Sequence, residues 1–127
     1  MTDKALQEPA FLVLTSLAGA PQHGYGLVED VLRVSDRQVR LHTGTLYAIL
    51  DRLRDGGLIE VDREEIVESR LRRYYRLTDA GAERLAAEAV RMQRNASAAA
   101  SRLQQLRPEP RKPGPRRPGL RPEGGMA

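Results

Sequence analysis

One stretch of the chain changes its apolar period abruptly, from that of a helix to that of a strand. The apolar residues from Leu46 to Leu53 are spaced at i, i+3, i+4 and i+7, the pattern of a helix with one buried face. Thr43 is the expected N-cap of this helix and Gly56 its C-terminal cap. The next residues, LIEVD from Leu58, alternate apolar and polar side chains as a half-buried strand does. The chain is therefore restricted to folds in which helices pack on a small sheet.

Two further helices are predicted before this stretch. The segment PAFLVLTSLAG (residues 9–19) has Pro9 in its first turn and ends at Gly19. The segment HGYGLVEDVLRVS (residues 23–35) carries apolar residues at helical spacing. Three short helices are thus expected in the first half of the chain.

A second strand, RRYYRLT (residues 72–78), is predicted to pair with LIEVD as an antiparallel hairpin. Glu64 and Glu65 are expected at its exposed tip. Alternation places Tyr75 and Leu77 on one face of the second arm. The other face carries Arg72, Tyr74 and Arg76.

The last predicted element is a long helix, capped by Thr78 and running to about Leu106, with a length of roughly 40 Å. Small and apolar residues recur along it at alternating steps of three and four, over nearly four heptads. This a/d seam consists of Ala82, Leu85, Ala89, Met92, Ala96, Ala99, Leu103 and Leu106. The seam could pack on the first three helices, but it is much longer than they are, so self-association is favoured. The predicted dimerisation residues are Leu85, Ala89, Met92, Ala96 and Leu103.

Three helices, a hairpin and a long helix form a mainly α fold with a small β-hairpin, in the order of a winged helix-turn-helix with a C-terminal dimerisation helix. The expected parts are a DNA-binding domain (residues 1–78), the dimerisation helix (79–106) and a tail (107–127). The tail holds six of the eight prolines and four of the 11 glycines, so it is predicted to be disordered. It is either a solvated remnant or a basic arm attracted to phosphates.

The positive net charge of +4 belongs to the tail, which has six of the 21 basic residues but two of the 17 acids. The remaining residues carry 15 basic and 15 acidic side chains. Within them, residues 60–68 contain five acids and residues 70–76 contain four arginines. A local basic strip, rather than a basic protein, is the feature that suggests a nucleic-acid contact.

The sequence offers little for catalysis. It has no cysteine and only two histidines, His23 and His42, without carboxylates at ligand-like spacing beside them. Its serines lack a nucleophile-elbow pattern, and no phosphate-cradling glycine loop is present. We therefore expect no enzyme activity, no cofactor and no metal site. The lack of a long apolar run and of a signal peptide predicts a soluble, cytoplasmic protein with no membrane partner.

In a winged helix-turn-helix the third helix enters the major groove and the hairpin, or wing, rests on the flanking phosphates. The predicted DNA-binding residues of the third helix are Thr43, Thr45, Tyr47 and Arg52, which lie off its apolar face, and those of the wing are Arg72, Arg73 and Arg76. Two alternatives stay open. Tyr47 could close the edge of the core, and the wing arginines could pair with the acids of residues 60–68.

The chain resembles the PadR family of bacterial transcriptional regulators. The matching strings are HGYGL (residues 23–27), GTLYAILDRLRDGGLIE (44–60) and RRYYRLTDAG (72–81), in the order and spacing of the family. The resemblance implies a winged-helix DNA-binding domain, a dimerising C-terminal helix and a repressor released from its operator by a small ligand. It also implies a DNA contact for Tyr47. The sequence IVESRLRR departs from family wings, which often turn through glycine and proline, and the single C-terminal helix resembles the short branch of the family.

The predicted function is that of a homodimeric repressor that binds a pseudo-palindromic double-stranded operator. A cavity at the dimer interface, lined by Phe11 of the first helix and by the long helix around Met92, is the expected site of a possible small-molecule effector. Two alternatives are a dimeric protein-interaction module and a charge-driven, non-specific DNA binder. The sequence does not define the operator, the regulated genes, the effector or the choice between repression and activation.

Overall fold

A computed structural model describes residues 5–106 of the chain, so the predicted tail at 107–127 lies outside the described residues. The helices are α1 (Glu8–Gly19), α2 (Gly24–Val34), α3 (Thr43–Asp55) and α4 (Asp79–Leu106). The strands are β1 (Gln22–His23), β2 (Ile59–Val67) and β3 (Arg70–Leu77). The four predicted helices and the hairpin are confirmed, in the predicted order. The architecture is a winged helix-turn-helix followed by a long helix.

The core lies between the first three helices and the base of the sheet. The apolar face predicted for α3 is fully buried there, with Leu46 and Leu50 at most 1% exposed. The cluster also contains Leu12, Val13, Leu14, Leu17, Leu27, Val31, Leu41, Ile49, Leu53, Ile59 and Tyr75. The core therefore contacts one side of α3, and the opposite side is exposed to solvent.

The ends of α3 differ slightly from the prediction. Thr43 is the first helical residue and not the N-cap; His42 occupies the cap position with an extended backbone and no side-chain hydrogen bond. At the other end, Gly56 is the C-cap, as predicted, and Gly57 takes the left-handed conformation with φ 74°. The amide of Leu58 then donates to the carbonyl of Leu53, so the chain leaves the helix directly into β2.

The sheet has three strands in the order β1-β3-β2, so the predicted hairpin of β2 and β3 is extended by a third, unpredicted strand. The two residues of β1 pair with Tyr75 and Tyr74 of β3. A segment of two residues carries no period that a sequence pattern could reveal. The short strand ties the start of α2 to the wing.

The wing is longer than predicted, and its tip lies elsewhere. Glu64 and Glu65 are within β2, opposite Arg73 and Arg72, whereas the turn consists of Glu68 and Ser69. Both turn residues have positive φ, 52° and 66°. Two consecutive residues with positive φ are typical of the tight turns that match the twist of a hairpin. The wing therefore closes tightly without the glycine that such turns favour.

Helix α4 begins against the base of the sheet. The hydroxyl of Thr78 accepts a hydrogen bond from the amide of Gly81 at 3.0 Å, which confirms the predicted cap. A Cβ at Gly81 would lie 2.0 Å from the carbonyl oxygen of Leu58, so only glycine allows this approach. Further along, the buried Glu88 accepts from the amide of Leu6 at 3.4 Å.

The chain divides into two compact units, residues 1–90 and 91–127. The first contains the three short helices, the sheet and the start of α4, where Leu85 packs partly buried against the core. The described part of the second unit is the remainder of α4, in which Met92 is partly buried and the other residues are exposed. Leu103 and Leu106 are 63% and 69% exposed.

Candidate nucleic-acid interface

The outer side of α3 presents polar side chains to solvent. Thr43, Thr45, Tyr47 and Arg52 are all exposed, which confirms that they lie off the buried face. The two threonines are in the first turn, where backbone N–H groups lack helical acceptors and favour anions. This side of α3 therefore offers hydroxyl and backbone N–H donors, while its contact with DNA stays a prediction.

Tyr47 lies where α3 meets the start of α2. A Cβ at Gly24 would be 2.6 Å from the hydroxyl oxygen of Tyr47, so the phenol rests against the glycine backbone. The residue is nevertheless 44% exposed. The ring thus packs at a helix junction with part of its surface in solvent, and a DNA contact of Tyr47 stays a prediction.

A groove of about 430 Å³ separates α2 and α3 from the free edge of β3. Strand β1 covers β3 only at Tyr74 and Tyr75, so among residues 5–106 no strand pairs with residues 70–73 on this side. The groove, which we call the wing groove, is lined by His23, Gly24, Tyr25, Tyr47, Val67, Glu68, Arg70, Leu71, Arg72 and Arg73. Three arginines and two phenols thus surround one concave surface.

Two of the predicted DNA-binding arginines form ion pairs across the wing. Arg73 donates to Glu64 at 2.9 Å, and Arg76 contacts Glu60 at 2.6 Å and Asp62 at 3.3 Å. These carboxylates raise the pKa of both guanidinium groups further above the ordinary value. The alternative in which wing arginines pair with the acids of β2 is thus realised for these two residues.

Arg70 and Arg72 differ from these two. Neither forms a salt bridge with a carboxylate in the described range 5–106, and both line the wing groove. Arg70 is exposed and Arg72 is partly buried. Arg72 nevertheless lies opposite Glu65 and interacts with it electrostatically, and Glu68 lines the same groove, so the groove holds charges of both signs.

His23 joins α2 to the wing. Its Nδ1 accepts a hydrogen bond from the amide of Gly26 at 3.3 Å and so caps α2. Its ring meets the Tyr74 ring edge-on, with centroids 5.2 Å apart. Burial and the neighbouring Arg72 lower the pKa of His23, because both disfavour the imidazolium. The neutral tautomer with its proton on Nε2 is the form that this geometry requires.

The ring of Tyr74 also contacts an arginine side chain. The guanidinium of Arg63 lies 3.8 Å from the centroid of the Tyr74 ring and donates to Asp62 and Glu65. These bonds raise the pKa of Arg63 and lower that of Glu65. Arg63 is thus engaged in structure rather than directed at the wing groove.

Sequence reasoning missed three groove residues: His23, Tyr25 and Arg70. Tyr25 is 69% exposed at the first turn of α2. The string HGYGL contains both His23 and Tyr25, so the signal was present. Arg70 lies before the predicted second strand (residues 72–78), so the predicted wing contacts did not include it.

The predicted dimerisation residues are distributed over both units of the chain. Leu85 and Ala89 belong to the first unit, and Met92, Ala96 and Leu103 to the second. Ala89, Ala96 and Leu103 are exposed, whereas Leu85 and Met92 are partly buried. Residues 91–106 alone therefore present a largely uncovered apolar seam.

Among residues 5–106, no three histidine or carboxylate side chains lie where together they could hold a metal ion. No helix in that range has the length and apolar character needed to cross a membrane.

Comparisons with known proteins agree with this geometry. The family model described as "Transcriptional regulator PadR-like family" matches residues 13–87, more than half of the chain. The proteins of this family are transcriptional regulators and not enzymes. No curated protein matches the chain.

Solved structures share the fold. A padr family transcriptional regulator from Eggerthella lenta is 28% identical, with a TM-score of 0.59, and the match covers 72% of this chain and 80% of that one. A transcriptional regulator from Clostridium thermocellum is 21% identical, with a TM-score of 0.64 and coverages of 72% and 89%. Bacillus subtilis PadR, solved in complex with operator DNA, is 22% identical, with a TM-score of 0.56 and coverages of 62% and 46%.

Proposed function

Because the chain belongs to the PadR-like family of transcriptional regulators, we propose that it is a homodimeric, ligand-responsive repressor that acts in the cytoplasm on a pseudo-palindromic operator. The observation that carries this proposal is the wing groove. It combines an exposed helix side, two phenols and three arginines around one concave surface. Such a surface fits the anionic, grooved form of duplex DNA.

Helix α3 supplies the base contacts in this proposal. A helix fits the major groove, where hydroxyl groups near its N-terminus reach base edges. Thr43 and Thr45 are in the first turn of α3 and exposed, and Arg52 is exposed further along. We assign sequence reading to the threonines, since only contacts to bases carry sequence information.

The wing groove supplies the contacts to phosphates. Arg70 and Arg72 offer cations that form no salt bridge among those of the described wing, Tyr25 and Tyr47 offer phenols, and α2 begins at the same place. Arg73 and Arg76 stay in the proposed interface. To bind a phosphate, however, Arg73 must first break its ion pair with Glu64, and Arg76 its ion pair with Glu60. We therefore expect their contribution to be smaller than that of Arg72.

Dimerisation through α4 follows from the exposed seam. Apolar residues repeat every three or four positions up to Leu106, and Leu103 is 63% exposed. Two facing helices would bury this seam as a coiled coil does. A two-fold dimer would present two α3 helices to half-sites about one turn, ~34 Å, apart.

The effector is assigned to the dimer interface. Small ligands bind concave, mainly apolar surfaces that form between packed helices. Ala89, Ala96 and Ala99 are small, so two facing seams leave space between them. Binding there would alter the separation of the two α3 helices and thereby the affinity for the operator.

A protein-interaction module is the second candidate, and the ion pairs of the wing favour it. Arg63, Arg73 and Arg76 are balanced by Glu60, Asp62, Glu64 and Glu65, so most of the wing is electrically neutral. A neutral, half-apolar hairpin is a surface that a folded partner can cover. In that case the protein would bind no operator.

Selection of bound duplexes from random DNA by the full chain tests the proposal. We expect enrichment of an inverted repeat, and an affinity that persists at salt concentrations where non-specific complexes dissociate. Thr45→Ala should change the bases that are selected. Thr15→Ala is the control, because Thr15 is a partly buried residue of α1, and it should select the same bases as wild type. Failure to enrich any sequence would favour the protein-interaction module, or a charge-driven binder if the affinity vanishes with salt.

A further inference from the structure

One side of β3 is covered by a neighbouring strand over part of its length. On the side of β1, Tyr74 and Tyr75 are paired, and among residues 5–106 no strand pairs with residues 70–73. On the other side, β2 pairs with β3 up to the turn of the wing. An uncovered strand edge presents backbone N–H and C=O groups and is a template for an added strand. Residues 70–73 therefore form an open edge, which we call the β3 edge.

The turn of the wing fixes which backbone groups lie at the β3 edge. Val67 and Arg70 are cross-strand partners on either side of a two-residue turn, so the amide of Arg70 is directed at β2. Alternate residues of an antiparallel strand direct both backbone groups to the same neighbour, so Arg72 also faces β2. Leu71 and Arg73 then direct their N–H and C=O groups to the uncovered side. The β3 edge thus offers two donors and two acceptors in alternation.

The β3 edge forms one wall of the wing groove, and α2 and α3 form the other. Leu71 and Arg73 lie on the first wall, and Tyr25 and Tyr47 lie on the second. The two tyrosines are 69% and 44% exposed, so the groove is open to solvent. Paired strands lie only ~4.8 Å apart. The groove, with a volume of about 430 Å³, therefore has room for a short extended segment beside β3.

Strand β2 shows which side chains suit β3. Its Glu65 lies opposite Arg72, and its Ile66 lies opposite Leu71. Pairs of opposite charge and pairs of apolar residues stabilise neighbouring strands. Arg70, at the end of the β3 edge, is exposed and forms no salt bridge among those of the described wing. A segment on the uncovered side meets the same β3 side chains, so it should be acidic, with an apolar residue opposite Leu71.

Charge and composition disfavour three other occupants. A second copy of β3 would place arginines beside arginines, and like charges on neighbouring strands are destabilising. Residues 107–127 of the chain hold six basic residues against two acids, and six prolines, which lack the N–H that an added strand donates. The phosphates of DNA accept hydrogen bonds but have no donor for the two carbonyl groups of the edge.

We propose that an acidic, extended segment of a partner protein adds a strand to the β3 edge and thereby competes with DNA for the wing groove. The strand addition stands without the proposed DNA-binding function, whereas the competition rests on it. A segment in the groove would cover Tyr47 and Arg72, which the proposed function assigns to DNA. The partner would then release the protein from its operator.

The test uses the full chain and the end-capped peptide Glu-Glu-Val-Glu-Glu as the probe. Saturating peptide should slow hydrogen exchange at the amides of Leu71 and Arg73 about tenfold, because an added strand accepts from both. The amides of Arg70 and Arg72 face β2 and should change little. The peptide Lys-Lys-Val-Lys-Lys is the control and should neither bind nor protect any amide of β3.

Leu71→Pro removes the backbone donor at the β3 edge and leaves the ladder with β2 in place. Proline is tolerated where its missing N–H faces away from the paired strand, so the variant should fold. It should bind the acidic peptide at least about tenfold more weakly than Leu71→Ala, the matched control that keeps the amide. Arg70→Gln tests the charge without changing the backbone, and it should weaken the acidic peptide about threefold.

Strand addition is overturned if the acidic peptide fails to bind, or binds without protecting the amides of Leu71 and Arg73. Equal affinities of Leu71→Pro and Leu71→Ala would also overturn it, as would wild-type affinity in Arg70→Gln. Protection of the two amides by a selected DNA duplex and not by the peptide would assign the β3 edge to DNA.

The competition is measured separately, by adding the acidic peptide to the full chain bound to a selected duplex. Displacement of the duplex is the expected result, and a duplex that stays bound at saturating peptide would overturn the competition. Peptide binding is measured without DNA. A protein that selects no duplex would therefore remove the proposed function and the competition, while strand addition would still be decided by the exchange of the Leu71 and Arg73 amides.

Discussion

Gly24 at the start of α2 leaves room for the phenol of Tyr47 in α3. A Cβ on Gly24 would lie 2.6 Å from the hydroxyl oxygen of Tyr47 and 3.3 Å from its Cζ. The two residues belong to different helices of the DNA-binding domain, so their contact sets how closely the helices approach. A side chain at position 24 requires the ring or the helix to move.

Gly24→Ala should therefore lower the free energy of unfolding by about 1–3 kcal/mol, the usual cost of overpacking. The cost should be smaller in the Tyr47→Phe background, because the atom that makes the closest contact is absent there. Urea denaturation of both single variants and the double variant gives the coupling energy. An equal cost in the two backgrounds would show that Tyr47 does not oppose a side chain at position 24.

Tyr47→Phe keeps the ring and removes one hydroxyl group. Residues 5–106 offer that hydroxyl no hydrogen bond, so thermal stability should change little. If the hydroxyl bonds to a phosphate, affinity for selected DNA should fall by about 1 kcal/mol. Tyr47→Ala distinguishes a role in packing, because loss of the ring would then lower the melting temperature while the folded fraction binds DNA normally.

Arg72→Ala should weaken binding to specific and non-specific DNA equally, and reduce the salt slope by about one. Arg76→Ala should reduce the slope less, since Arg76 is already paired with Glu60 and Asp62. Affinities measured between low and moderate salt provide both slopes. An Arg72→Ala slope equal to that of wild type would mean that this guanidinium makes no phosphate contact.

Met92→Glu with Ala96→Glu would bring four like charges together in a dimer formed through α4. We expect sedimentation to show monomers and affinity for the operator to fall sharply, because linked half-sites bind as one unit. Ala98→Glu with Ser101→Glu is the control, since at 3.6 residues per turn these positions lie on the opposite side of the helix. A persistent dimer in the first variant would require another interface.

Stability should fall at mildly acidic pH because of His23. Burial and Arg72 lower its pKa in the folded protein, so the unfolded chain binds the proton more readily. The contribution of neutral His23 to the free energy of unfolding is complete above the pKa of His23 in the unfolded chain, about 6.5. It is lost as pH falls through the lower pKa of His23 in the folded protein. The slope cannot exceed about 1.4 kcal/mol per pH unit for a single proton.

His23→Asn is the variant that checks this origin. Asparagine is a good N-cap and does not titrate, so it should keep α2 capped and flatten the profile between pH 5 and 7, a range set by the ordinary pKa of about 6.5. An unchanged slope in His23→Asn would assign the acid sensitivity to other groups.

The amino-acid sequence alone determined the order and type of the main elements. The spacing of Leu46, Ile49, Leu50 and Leu53 fixed the buried face of α3, and hence which side is exposed. Alternation in RRYYRLT placed Tyr75 and Leu77 on one face of the strand, and Tyr75 is buried there. These features are local, because a period in the sequence translates directly into a face of a helix or strand.

Only the tertiary structure decided which charges and short segments meet. The choice between phosphate-binding and ion-paired arginines depended on strand register, which places Arg73 opposite Glu64 and Arg76 opposite Glu60. The two residues of β1, the approach of Tyr47 to Gly24 and the cap provided by His23 depend on how separate elements pack. Sequence periodicity carries no information about such long-range pairs, because each one joins residues that different parts of the chain bring together.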